Sequence, residues 1–275
     1  MSKVPNFQIL NSKESLEQLL SQKKEAPVKL VYAAKKTHEP VSEEAEMLEE
    51  FRMDLLSDFA ETDEEGQVVQ QTDEDGNPTG EASFESEEDM QEFQRRLNEI
   101  YSESTSIDAH VVDIDDVGDF VAPASWAKNL DFMFEGFDTK TNELMGGEVQ
   151  ASIDSIESIL GFQNDDEDPE IPLKFSAGLF RTYQNLAEVQ AEIENRRLEL
   201  LQEYAETDDE GNVKTLDGAM ADFPTEEAQE EFQEKLNEVY NEDFEVEANL
   251  VEVEYTDGVN VHPRHAIILD WVLVD

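Results

Sequence analysis

Apolar residues recur every four positions at Met47, Phe51, Leu55 and Phe59, flanked by Leu48 and Leu56, and this spacing predicts a long amphipathic helix with a core-facing stripe. A comparable stripe runs through Val189, Ile193, Leu200, Leu201 and Tyr204. Pro40 is expected to kink or interrupt the first of these helices, because it has no N–H and clashes with the preceding turn; the second carries Asn185 at that place. Two shorter helices are predicted by Met90, Phe93, Leu97, Ile100 and Tyr101 behind the cap Ser86, and by Phe232, Leu236, Val239 and Tyr240 behind Thr225. Period-two alternation at Ile107, Ala109, Val111 and at Phe244, Val246, Ala248, Leu250 predicts strands with one buried face. In both, the alternation changes phase, at Val111-Val112 and at Leu250-Val251. A one-residue slip turns side chains to the other face, so a bulge or strand break is expected there. Near the start, Phe7 to Leu10 reads as a short strand. Asn11 with Glu14 reads as the start of a helix bearing Leu16, Leu19 and Leu20, which ends at Pro27. Its counterpart is the face Ile153, Ile156, Ile159, Leu160. Gln67 to Gln71 reads as one arm of a small hairpin closed by the Asp73 to Pro78 turn.

These paired signals reflect an internal repeat. Pro27 to Gly66 aligns without a gap on Pro172 to Gly211, and the shared end reads Ala60-Glu61-Thr62-Asp63 against Ala205-Glu206-Thr207-Asp208. After a six-residue length difference, Glu92-Phe93-Gln94 and Leu97-Asn98-Glu99 return as Glu231-Phe232-Gln233 and Leu236-Asn237-Glu238, and Leu130-Asp131-Phe132 as Leu269-Asp270-Trp271. The length change marks an exposed loop. The fold expected is α+β: two tandem homologous modules, each with two or three helices packed on a small antiparallel sheet. Residues 1–135 form the first module, 136–146 a linker with Gly136 and Gly146, and 147–275 the second.

Charge narrows the classes of partner. The formal net charge is −50. Residues 1–135 hold 33 acidic and 11 basic side chains and residues 136–275 hold 36 and 8, so acidity belongs to the whole surface and not to a tail. Such a field repels phosphates and anionic lipid, which argues against direct binding of nucleic acid or membrane. Hydrophobic residues still make up 38% in periodic rows, as a folded chain requires. With no cysteine there is no disulfide, thiol nucleophile or thiolate metal site. Neither a signal peptide nor a membrane span is read in the sequence; the N-terminus lacks an apolar core segment and Asp270 interrupts the last apolar run.

Candidate chemistry is sparse. Set against the twelve-residue calcium loop, Gly76 at position 6 places Gln71 first and Ala82 last, which fails; Gly211 gives Glu206, Asp208, Glu210 and Asp217, an imperfect set. His262 and His265 have i, i+3 spacing, but the intervening Pro263 argues for a turn. A Gly-rich phosphate loop, a Gly-x-Ser-x-Gly elbow and a His-Glu-x-x-His motif are all missing from the sequence. No catalytic, cofactor or metal residue is therefore assigned. Trp126, Phe132 and Trp271, near the module ends, are the candidate interaction residues; the two tryptophans suit either sealing a core or anchoring a partner.

The order Pro27-Val28-Lys29-Leu30-Val31-Tyr32-Ala33, long acidic helix, Asp-rich Gly turn, Phe-x-x-x-Leu-Asn-Glu helix, acidic strand and closing Leu130 to Met133 segment resembles a family of small uncharacterised proteins of tailed, siphovirus-type phages. Both copies are similar to it. The family is a single module without an assigned reaction, so the resemblance implies a viral origin and carries over no catalytic residue. This chain departs from it in being duplicated and in having only 12 lysines. The resemblance and the charge together lead to the expectation of a non-enzymatic structural or assembly protein, located in the virion or in the host cytoplasm during infection. It would bind other virion proteins, as an oligomer or against a pseudo-symmetric partner. The alternative is an acidic DNA mimic that occupies a host nucleic-acid-binding enzyme in defence evasion. Acids on every face, as opposed to one stripe, also fit a halophilic host.

Overall fold

A computed structural model describes residues 1–22, 25–63, 67–72, 78–162, 168–208, 212–216, 220–252, 259 and 262–274. The chain divides into two compact units, Met1–Phe120 with Lys128–Glu135, and Val121–Ala127 with Gly136–Asp275. Both mix helices with small, mostly antiparallel two-stranded ladders.

Unit 1 opens with β1 (Ser2–Pro5) and α1 (Asn6–Ser21). The expected strand at Phe7 to Leu10 is therefore helical, and the helix begins five residues before Asn11. Tertiary pairing decides this boundary: Pro5 sets the entry angle, the Asn6 N–H donates to Glu103 O at 2.8 Å, and its side-chain amide donates to Ile100 O at 2.9 Å. Next comes α2 (Val28–Phe59), unbroken through Pro40, so the expected interruption does not occur. Packing of the buried row Leu30, Ala34, Thr37, Val41, Ala45 and Leu48 outweighs one missing backbone bond. The hairpin β2 (Gln70–Thr72) and β3 (Pro78–Ala82) lies where the sequence indicates, and its turn at 73–77 lies outside the described residues. The next helix, α3 (Glu87–Ser102), starts at Ser86, whose Oγ accepts the Asp89 N–H at 3.1 Å, and three acids in its first turn complement the helix dipole. The strand β4 (Ser104–Ile107) pairs antiparallel with β1, and β5 (Val112–Asp113) resumes after a break.

The next segment changes unit. The short strand β6 (Val121–Pro123) and the first residues of α4 (Ser125–Asn129) belong to unit 2, whereas β7 (Phe134–Glu135) returns to pair in parallel with β5. Residues 136–146, read from the sequence as a linker, instead hold the seven-residue strand β8 (Thr139–Met145). Unit 2 continues with α5 (Gly146–Leu160), β9 (Glu170–Pro172), α6 (Leu173–Tyr204), β10 (Thr215–Leu216), β11 (Met220–Ala221) and α7 (Glu226–Tyr240). It closes with β12 (Asp243–Asn249), β13 (Val251–Glu252), α8 (Pro263–Ile268) and β14 (Leu273–Val274). The ladder β12 with β8 is antiparallel, and β13 with β14 is parallel. The helices α2 and α6 are both 32 residues long, and β9 directly precedes α6 where no strand directly precedes α2 among the described residues. The phase change at Leu250-Val251 coincides with a strand break at Leu250; in unit 1 the strand expected through Ala109 and Val111 instead ends at Ile107, the break spans 108–111, and Val111 is 42% exposed.

A buried threonine secures each break. The Thr182 hydroxyl, fully buried on α6, accepts the Asn249 N–H at 2.9 Å and donates to Gly178 O at 3.0 Å. At the equivalent place in unit 1, Thr37 accepts the His110 N–H at 2.9 Å. Where a strand stops pairing its backbone N–H still needs an acceptor, and a β-branched hydroxyl on the adjoining helix supplies it without a charge.

Candidate protein-binding surface

The long helix of unit 1 buries Leu48 and Leu56 but leaves Met47 47% and Phe51 54% exposed, with Met53 46% exposed beside them. The four-residue stripe read from the sequence as core is thus largely a surface row. At the equivalent positions of unit 2 stand Glu192 and Arg196, and Arg196 forms a two-pronged pair with Glu242 at 2.5 and 2.7 Å. That pair holds the Glu242 carboxyl below and the Arg196 guanidinium above their ordinary values, chiefly through the side-chain hydrogen bond. The same fold position therefore accepts a hydrated ion pair, and the apolar row of unit 1 is not required by packing.

Beside this row lies a groove of about 580 Å³ formed by the last turns of α2, the β2–β3 hairpin and α3, with Met53, Leu56, Val68, Phe84, Met90 and Leu97 among its walls. Phe84 and Phe93 meet at 5.4 Å between ring centroids, a contact repeated in unit 2 by Phe223 and Phe232 at 5.3 Å. Arg96 lies over the Phe59 ring at 5.0 Å. On the outer side of α3, Glu92 accepts hydrogen bonds from Arg95 and Arg96, which lower its carboxyl to about 2, and Arg95 also reaches Glu99. Arg52, Gln70, Gln71, Glu81 and Gln94 also line the groove, so its wall mixes apolar side chains with polar ones, as protein-binding patches do.

The predicted interaction residues fall in different places. Trp126, in α4, is fully buried, so of the two roles weighed it seals the core. Phe132 is half-buried in the 3-10 turn Asp131–Met133 of unit 1. Trp271 is half-buried in unit 2, and its indole Nε1–H is shielded from solvent without a hydrogen-bond partner. Sequence reasoning missed the Met47, Phe51, Met53 surface because periodicity marks apolar rows without saying what covers them.

The histidine pair also resolves. Pro263 occupies the first turn of α8, so His262 and His265 flank a helix start and not a bare turn. His262 Nδ1 accepts the Arg264 N–H at 3.2 Å, and the two rings meet edge to face with centroids 6.1 Å apart. Burial first, then Arg264 and His262, lowers the His265 value. A shallow cleft of about 510 Å³ holds them with Asp154, Ser158 and Arg264. Among the described residues no group of three His, Asp or Glu side chains is placed to hold a metal. The Gly76 loop, and Glu210, Gly211 and Asp217 of the second acidic loop, lie outside the described residues. Among the described residues no helix is long and apolar enough to cross a membrane. Comparison with protein-family models, with curated proteins and with solved structures gives no match.

Proposed function

We propose that this chain is a tandem duplication of one α+β module and acts as a non-enzymatic, protein-binding assembly protein, a component of a tailed virus particle. The observation that carries the protein-binding reading is the exposed Met47 and Phe51 row next to the Phe84-lined groove, on an otherwise acidic surface where unit 2 places an ion pair. Burying two such side chains against a partner removes enough apolar surface to contribute about 3–6 kcal/mol before the costs of association. The viral setting rests on the resemblance of both copies to the phage family. Two related modules on one chain suit a pseudo-symmetric partner or two linked sites.

The test is mass spectrometry of particles from the infected host, purified and washed in high salt, with copy number set against the major capsid protein. Recovery at a fixed stoichiometry, lost for Met47→Glu/Phe51→Glu, supports the reading. A chain absent from particles and recovered instead on a basic nucleic-acid-binding enzyme would replace it with the DNA-mimic alternative, whose association must fail at high salt.

A further inference from the structure

The ladder of β12 with β8 has an edge that nothing pairs. Among the described residues β8 pairs with β12 alone, so no strand lies along its other side. The Leu250 N–H donates to Asp138 O and the Gly146 N–H to Glu242 O, in the register of the ladder, so Asp138, Lys140, Asn142, Leu144 and Gly146 turn their backbone groups toward β12. The residues between them, Thr139, Thr141, Glu143 and Met145, turn theirs outward. The Met145 N–H is already held by Glu148 Oε2 at 2.9 Å, in the first turn of α5. Thr139, Thr141 and Glu143 are exposed, and each presents a free N–H and C=O. Unit 1 closes the same edge. Its strand β1, which leads into α1 as β8 leads into α5, is four residues long and sets Pro5, without an N–H, on the outer side. By contrast β8 has seven residues and no proline.

We infer that the outer edge of β8 pairs with the same edge of a second copy of this chain, antiparallel about a two-fold axis at Thr141, so that the two ladders join into one sheet. The free groups set the register. An axis at Thr141 places Thr141 opposite Thr141 and Thr139 opposite Glu143, and each opposed pair exchanges two backbone hydrogen bonds without calling on a donor already in use. An axis at Asn142 would place Thr139 opposite Met145, whose N–H Glu148 holds. Charge favours the same partner and the same register. The charged residues of β8 are Lys140 and Glu143, so the strand is neutral in a chain of net charge −50, and each Glu143 meets a threonine and not a second acid. The contact is isologous and closed, so it stops at two copies. It is independent of the Phe84-lined groove, which lies in unit 1 and needs another protein.

The chain has no cysteine, so engineered thiols report this register cleanly. Thr141 and Glu143 are both exposed on one face of β8. In the inferred pair the two copies of residue 141 stand about 5.5 Å apart between Cα atoms, within disulfide range, whereas the two copies of residue 143 lie about 13 Å apart along the strand. Thr141→Cys and Glu143→Cys variants are oxidised mildly, each alone, in about 1 M salt, which shortens the screening length to roughly 3 Å and relieves like-charge repulsion. Thr141→Cys is expected to give the disulfide dimer about tenfold or more faster than Glu143→Cys. Sedimentation of the unmodified chain in the same salt should show mass rising with concentration toward two copies. Thr139→Pro removes an outward N–H and no bond to β12, so it should leave the circular dichroism spectrum unchanged and hold the mass at one copy. Equal oxidation rates of the two cysteine variants overturn the inference. A chain that stays single at every concentration also overturns it, and leaves the edge to a strand of another protein.

Discussion

Replacing Thr182 by valine keeps the shape of a fully buried side chain and removes only its hydroxyl. The Asn249 N–H, 2.9 Å from that oxygen at a residue 5% exposed, is then left without its acceptor in a place water does not reach. An unsatisfied buried donor costs about 1–3 kcal/mol. Gly178 O, which receives the hydroxyl proton at 3.0 Å, keeps its place in the α6 ladder and adds little. For a unit of this size, a urea slope of about 1–3 kcal/mol/M turns a loss near 2 kcal/mol into a midpoint shift of roughly 1 M. Both tryptophans, Trp126 and Trp271, belong to unit 2, so indole fluorescence during urea unfolding follows that unit selectively. Thr37→Val is the internal comparison: His110, its partner, is exposed, so water replaces the hydroxyl and the cost stays below about 0.5 kcal/mol. Hydrogen exchange supplies a second readout, because the Asn249 amide should exchange faster in Thr182→Val. A fluorescence midpoint within about 0.2 M of the parent, with Asn249 exchange unchanged, would refute the account of the strand break.

Pro40→Ala restores a donor inside α2 and should raise stability by up to about 3 kcal/mol, read as a higher melting temperature. Ser86→Ala and Thr225→Ala each remove the acceptor for a first-turn N–H and should cost about 1 kcal/mol, read by thermal unfolding. The Glu92 carboxyl, held at about 2 by Arg95 and Arg96, lies below its ordinary value of 4.5. A lowered folded-state value stabilises above the unfolded one, so this contribution is complete above about pH 5 and fades as pH falls toward 2. Carboxyl NMR should find Glu92 ionised at pH 3, and Arg95→Gln/Arg96→Gln should return its titration to the ordinary range.

Local signals carried much of the architecture. Ser86, Thr225 and the acids behind them mark helix starts because a cap acts on backbone groups within three residues. The strand break at Leu250-Val251 was legible because alternation has a strict period of two, whereas in unit 1 the alternation at Ala109 and Val111 continued past the end of β4 at Ile107. The gapless repeat from Pro27 and Pro172 matches the two long helices residue for residue, and the structure starts each directly after its proline. The candidate surface was misread for a geometric reason. A row spaced every four residues advances about 40° around the helix at each step, so Met47, Phe51, Leu55 and Phe59 wind off any one face. The buried row, Leu30, Ala34, Thr37, Val41, Ala45 and Leu48, mixes steps of three and four and stays against the core.

The sequence determined by itself the two long helices, the two shorter ones behind Ser86 and Thr225 with those caps, and the residue-by-residue likeness of the two halves, all of which depend on neighbours close along the chain. The tertiary structure alone decided that β6 pairs with β9, that β8 pairs with β12 inside the expected linker, and that Trp126 is enclosed while Phe51 is bare. Strand pairing satisfies backbone groups that are the same in every residue, and exposure depends on what lies opposite. Neither leaves a mark in a local pattern of side chains.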